Sequence, residues 1–169
     1  IEVTTADLPE VEETGTTFEE NAQLKARSAC RATGLPSVAD DSGIVVDALG
    51  GAPGVYSARY AGPDATDADR NRKLLDEMRG VPDEERTARF VSAVCCAFPD
   101  GEEITVTGVC EGRVAYLPRG NDGFGYDPIF LVGKKTYAEL TPSEKDAVSH
   151  RGKALRLLAA RLQERSADR

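Results

Sequence analysis

Residues 37–51 read SVADDSGIVVDALGG, and the parsing of this stretch decides the fold. Apolar residues on either side of Asp40-Asp41-Ser42-Gly43 predict two short strands, Ser37 to Ala39 and Ile44 to Val46, with a polar link between them. Apolar flanks imply partial burial. Two adjacent buried carboxylates are costly unless a cation or protons neutralise them. Mg2+ suits hard carboxylate oxygens and keeps waters that can be activated, so the pair is a candidate metal and water site. The blander reading is an Asx turn, in which the Asp side chains accept from nearby backbone N–H groups and Gly43 turns left-handed.

Upstream, Thr17 and Glu20 form a capping box, and Phe18, Ala22, Ala26 and Ala29 recur at helical spacing until Gly34 and Pro36. Downstream, Gly50, Gly51, Pro53 and Gly54 make a loop. A second helix is capped by Thr66, carries Asp67 and Asp69 near its positive end, and shows Leu74, Leu75 and Met78 as its apolar stripe. Arg89 to Phe98 is apolar on both faces, which predicts a central buried strand. Pro99-Asp100-Gly101 turns the chain, and Glu103 to Cys110 returns beside it. Residues 118–128 are loop. Thr141-Pro142-Ser143-Glu144 caps a further helix, and Ser149 is a candidate cap for a last one bearing Ala154, Leu155, Leu158 and Leu162. The pattern is a mixed α/β chain whose sheet is partly antiparallel. Residues 1–15 are polar and acidic without a period.

The 169 residues suffice for one domain spanning 1–169. No apolar run approaches the roughly 20 residues that span a bilayer, so no membrane role is expected. The net charge of −8 and an isoelectric point near 4.8 argue against a nucleic-acid partner. A single nucleotide, whose charge a metal and a few cations can meet, is compatible. Cys30, Cys95, Cys96 and Cys110 lack metal spacing and read as buried thiols in a reducing cytoplasm.

Other candidate site residues lie apart in the chain. Glu12 and Glu13 form a second acidic pair, by themselves a solvated surface feature. Lys25 follows Asn21 by one helical turn, on a polar stripe opposite the alanines. An exposed lysine is the default there, and a lysine aimed at phosphate is the sharper alternative. In Arg119 to Pro128, glycines allow close backbone approach and Phe124 and Tyr126 can stack on a base. A tight loop with its aromatics packed on the core accounts for the same residues equally well. His150, the sole histidine, adjoins Arg151 at a predicted helix start, where backbone donors favour anions or carbonyl oxygens, with Lys145 nearby.

Taken together, Glu12 to Ala22, Leu24 to Arg27, Ala39 to Gly43, Gly50 to Arg59, Phe124 to Pro128 and Ser149 to Arg151 resemble, in order, the motifs of the inosine triphosphate pyrophosphatase family, in particular its bacterial non-canonical purine NTP pyrophosphatases. The resemblance implies an elongated α/β fold with a central mixed sheet flanked by helices, and two lobes with a nucleotide cleft between them. It also implies Mg2+-dependent hydrolysis of ITP, dITP and XTP to monophosphate and pyrophosphate, and a homodimer. Carried over by motif, Asp41 is the general base and a metal residue with Asp40 beside it, and Glu12 or Glu13 helps hold the metal. Lys25 contacts the phosphates and Ser42 the nucleotide. Phe124, Gly125, Tyr126 and Asp127 wrap base and sugar, and Lys145, His150 and Arg151 bind the nucleotide, the last two near the base. The alternative is a nucleotide-binding sensor of the same fold without turnover. The family's Thr-x-Asn-x-x-Lys phosphate loop matches no stretch of this chain and is expected upstream of Ile1. The stretch from Leu131 to Tyr137 looks shorter than the family's.

Overall fold

The computed structural model describes residues 5, 8 and 10–167. The expectation for residues 1–9 falls almost wholly outside them, as does anything upstream of Ile1. The elements in chain order are α1 (Phe18–Thr33), β1 (Ser37–Val46), α2 (Asp67–Glu77), β2 (Thr87–Ala97), β3 (Glu103–Val114), β4 (Phe130–Val132), β5 (Lys135–Thr136), α3 (Pro142–Val148) and α4 (His150–Ala167), with short 3-10 turns between them. The strands form one sheet in the order β1-β2-β3-β4-β5.

The main revision concerns β1. Asp40 to Gly43 does not interrupt it: all ten residues from Ser37 to Val46 pair with β2, Asp40 opposite Val94 and Asp41 opposite Ala93. A pleated strand sends successive side chains to opposite faces. The two carboxylates therefore diverge, and no turn is needed to separate their charges. A second revision concerns the sheet. Among the described residues every pairing is antiparallel, not mixed. Gly101, at φ 89°, sits in the tight β2–β3 turn, which returns the chain directly beside the strand it has left.

β2 is the buried central strand that its apolar run predicts. Its odd-numbered positions Ala93, Cys95 and Ala97 meet Phe18, Ala22, Ala26 and Cys30 of α1 on one face. Its even-numbered Val94 and Cys96 meet Ala154 and Leu158 of α4 on the other. Toward the other end of β2, Ala88 and Phe90 join Ile44, Leu74, Met78, Ile129, Phe130 and Tyr137 in a third core. These apolar clusters occupy the two ends of the long strands. Between them, at mid-length, lie Asp40 to Gly43 and the fully buried Ser92.

The caps act as the sequence suggests, with one shift. Thr17 accepts from Glu20 N–H, but the Glu20 carboxylate turns back to Thr16 N–H (2.6 Å) instead of closing the box on Thr17. Thr66–Asp69 and Thr141–Glu144 form full capping boxes. Ser149 Oγ accepts from Gly152 N–H at 3.0 Å and starts α4. In α4, Leu155 of the expected apolar stripe is exposed, because the approach of α4 to β3 turns Ala154 and Leu158 inward, with Leu162 partly buried beside them. That approach passes over Gly108. A Cβ there would lie 2.1 Å from His150 O, so no larger residue leaves α4 in place.

Candidate active site

Asp41 points toward α1. Its Oδ1 receives Lys25 Nζ at 3.1 Å and its Oδ2 receives Asn21 Nδ2 at 3.2 Å. Helical spacing brings residues i and i+4 to one face, so α1 delivers Asn21 and Lys25 together. They flank the alanine stripe instead of lying opposite it, and Asn21 is fully buried. Lys25 also donates to Glu13 Oε1 at 2.8 Å. Asn21 Oδ1 accepts from Gly15 N–H at 2.8 Å, which ties the segment bearing Glu13 to the carboxylate of Asp41. Arg59 lies 3.8 Å from the other Glu13 oxygen. Of the two candidate glutamates, Glu13 stands at this cluster, whereas Glu12 is exposed.

The electrostatics of the cluster follow from burial. Burial raises the Asp41 carboxyl above the ordinary range; Lys25 opposes this, and the nearby Glu13 charge adds to it. For Lys25, burial pulls downward, but the hydrogen bond to Glu13 and the charge of Asp41 outweigh it, so the ammonium is held above its ordinary value. The result is a permanently charged lysine beside a carboxylate that takes a proton more readily than usual.

Asp40 and Ser42 point the other way, toward α4. Arg151 donates to Asp40 Oδ2 from Nε (3.1 Å) and Nη2 (2.8 Å). Ser42 Oγ donates to the same oxygen at 3.0 Å. Asp40 therefore does not stand beside Asp41 at a shared metal. Among the described residues no three His, Cys, Asp or Glu cluster in a way that could hold a metal ion.

The loop from Arg119 to Pro128 splits its two aromatics. Phe124 is 64% exposed, and Lys145 Nζ lies 4.9 Å and Arg151 Cζ 5.9 Å from its ring centre. Tyr126 is buried and donates its hydroxyl to Ser57 O at 2.7 Å, so of these two rings only Phe124 is open to a ligand. Asp127 is also buried: it accepts from Phe124 N–H at 2.9 Å and pairs with Lys145. Its role here is to shape the loop and hold the lysine. Gly123, at φ 81°, makes room for that carboxylate, because a Cβ would sit 2.0 Å from Asp127 Oδ2.

His150 is not a surface donor. Its ring stacks on Phe90 with centroids 4.6 Å apart, and lies parallel to Tyr137. Burial first, then the charges of Arg151 and Lys145, push its pKa down to about 3, so the imidazole is neutral near pH 7. Its Nδ1 has no hydrogen-bond partner among the described residues.

Three residues that the sequence did not single out complete the site. Asn21 positions Asp41, and its spacing from Lys25 was the available signal. Asp67 Oδ2 accepts from Gly125 N–H (2.6 Å), and Asn71 Nδ2 donates to Gly125 O (3.0 Å). The first turns of α2 thus grip both sides of the residue after Phe124. The Arg70 hydrogen bond, then that of Gly125, hold the Asp67 carboxyl below the usual range. Asp67 read as an ordinary N-terminal helix acid, and nothing in the local sequence marked Asn71.

A family model for the Ham1 family matches residues 1–161. The chain belongs to the Ham1 family. It is 56% identical over 158 residues to a dITP/XTP pyrophosphatase of Exiguobacterium sp., covering 92% of this chain and 80% of that one. It is also 56% identical over 154 residues to a dITP/XTP pyrophosphatase of Geobacter sulfurreducens, covering 90% and 77%. Among solved structures, a HAM1 protein from Coxiella burnetii superposes with a TM-score of 0.88 at 49% identity, over 93% of this chain and 82% of that one. A nucleoside-triphosphatase / dITP/XTP pyrophosphatase from Mycobacterium abscessus gives a TM-score of 0.77 at 53% identity, over 90% and 79%. The resemblance in sequence is thus a family membership, and the α/β fold is that of solved Ham1 proteins.

Proposed function

We propose that this Ham1 protein hydrolyses non-canonical purine nucleoside triphosphates, such as ITP, dITP and XTP, to the monophosphate and pyrophosphate. The names of its relatives, dITP/XTP pyrophosphatases at 56% identity, supply the reaction class. The observation that carries the reading is the division of β1 into two chemistries at consecutive residues. On the α1 face lie Asp41, Lys25 and Glu13, suited to phosphate and proton transfer. On the α4 face lie Arg151, Lys145 and the open Phe124 ring, suited to a purine. A ligand that uses both needs a base at one end and phosphates at the other.

In this reading Asp41 accepts the proton of the water that attacks the α-phosphorus. A carboxylate whose proton affinity is raised by burial is better matched to that task than a solvated one. Lys25 meets the negative charge that develops on the phosphates. Phe124 stacks on the base. Arg151 donates toward the 6-keto oxygen, which adenine lacks, and a donor left unpaired against an amino group rejects the wrong base strongly.

The residues fit a divalent cation. Asp41 and Glu13 both reach Lys25, so an oxygen-only donor pair converges at the phosphate end. Mg2+ is commonly held by one or two carboxylates together with substrate phosphates. When bound, such an ion would neutralise phosphate charge and polarise the water. The proposal extends to a homodimer, read by light scattering. It extends also to the cytoplasm, since the four cysteines are buried free thiols, as a reducing compartment allows. No helix among the described residues is long and apolar enough to cross a membrane.

The test is an assay of ITP, XTP, dATP and dGTP with Mg2+, resolving pyrophosphate from phosphate. Pyrophosphate from ITP and XTP with little from dATP is expected from the 6-keto contact; little from dGTP, which shares that oxygen, is expected only with a further mismatch at its 2-amino group. Release of single phosphates overturns the reaction type, and equal turnover of all four overturns the specificity. Nucleotide binding without turnover identifies a sensor instead of an enzyme.

A further inference from the structure

Asp40 is adjacent to the proposed general base, yet its geometry ties it to something else. The pleat of β1 turns it away from Lys25 and Glu13. On its own face Ser42 is the next residue along, and Ser92 lies directly opposite Ser42 on β2. Ser42 Oγ donates to Asp40 Oδ2 at 3.0 Å and lies 3.4 Å from Ser92 Oγ. The carboxylate is thereby aimed at Arg151, a residue 111 positions away in the chain. Arg151 in turn has a fixed root, because α4 is pressed against β3 at Gly108 one residue from it. The guanidinium is caught along one edge: Nε and Nη2 both bind Asp40 Oδ2, and Nη2 is 3.3 Å from Ser42 Oγ. Nη1 has no hydrogen bond among the described residues, and Phe124 stands beside the group.

We infer that Asp40 is a positioning residue for purine recognition: it holds Arg151 by the Nε–Nη2 edge and so presents Nη1 to a carbonyl acceptor on a base stacked on Phe124. This rests on the purine-nucleotide reading above. Arginine has many rotamers and a weakly hydrated planar head. An unheld guanidinium would have to be ordered at the moment of binding, or would turn to the phosphates of the same ligand. Pairing with Asp40 also offsets the local charge, which favours a neutral carbonyl over a phosphate as the partner. Ser42 acts in the same way at one remove, by fixing the carboxylate.

The test is a double-mutant cycle read by calorimetric binding of IMP, alongside steady-state kinetics with ITP. Asp40→Asn keeps the shape and removes the charge. It is expected to weaken IMP binding and to raise KM for ITP by about three- to tenfold, the cost of ordering one long side chain on binding, with a smaller change in kcat. Arg151→Ala weakens IMP binding at least as much. In the Arg151→Ala background, Asp40→Asn is expected to cause no further loss, because contacts made through one group are not additive. Asp40→Glu, which keeps the charge, recovers part of the affinity. If Asp40→Asn unfolds the protein, the cycle is run with Ser42→Ala, for which the same non-additivity is expected. Additive losses overturn the inference, as does an Asp40→Asn enzyme with lower kcat but unchanged KM and IMP affinity. A wild-type protein that shows the coupling toward IMP but releases no pyrophosphate from ITP overturns the proposed reaction and leaves this inference standing. One that hydrolyses ITP with an additive cycle does the reverse.

Discussion

Asp41→Asn separates chemistry from architecture. Asp41 makes two contacts, to Lys25 at 3.1 Å and Asn21 at 3.2 Å. An amide at that position can satisfy one of them and must turn an N–H2 group toward the other, so about one hydrogen bond is lost, worth ~1 kcal/mol. Against that loss, the buried carboxylate is raised in pKa, which means that its charged form is disfavoured by the fold, and a neutral amide removes that strain. Lys25 keeps Glu13 as its partner. The net change in stability is within ~1 kcal/mol, or about 2–4 °C in Tm for a chain of this size. Activity responds differently. Loss of a positioned general base lowers the rate by about 10²- to 10⁴-fold, or ~3–5 kcal/mol in the barrier. Paired measurements of pyrophosphate release and thermal unfolding check this. A variant with kcat within about tenfold of wild type would show that Asp41 is not the base. A Tm lower by about 10 °C or more would show that it holds the fold together.

His150 predicts a pH dependence of stability. Its native pKa of about 3 lies below the ordinary imidazole value, so between about 6.5 and 3 the unfolded chain binds a proton that the native state does not. This part of the stability is therefore complete above pH 6.5 and is lost on acidification, at up to ~1.4 kcal/mol per pH unit. Urea midpoints from pH 7 to pH 4 should show that slope in the wild type, and a shallower one in His150→Phe; equal slopes would refute it. Gly108→Ala places a methyl 2.1 Å from His150 O and 2.5 Å from Ala154 N, backbone atoms that cannot swing aside. A destabilisation of ~1–3 kcal/mol is expected from such overpacking, and an unchanged denaturation midpoint would contradict it. Asn71→Ala frees Gly125 O on the loop that carries Phe124. With about one hydrogen bond lost, KM for ITP should rise roughly fivefold while kcat changes less, whereas a drop confined to kcat would argue against a binding role for the loop.

The sequence by itself determined the helices, the β2–β3 hairpin and the family, but it read no strand at β4 or β5. Capping residues, the alanine period of α1, the apolar run of β2 and the Pro99-Asp100-Gly101 turn are local signals, because each depends on backbone hydrogen bonds and side chains a few residues apart. It also named many of the residues that the structure brings together here, although it set Asp40 with Asp41 at a metal, gave Tyr126 to the base and made His150 a donor to the base, where the fold buries its ring. Those assignments depended on direction, which composition does not carry. Only the tertiary structure decided that β1 runs unbroken through its two aspartates, and an unbroken pleat sends neighbours to opposite faces. From that alone Asp41 goes to Lys25 of α1 and Asp40 to Arg151 of α4. The grip of Asp67 and Asn71 on Gly125 was hidden for the same reason: its partners are 58 and 54 residues apart in the chain, and only the packing of α2 against that loop brings them together.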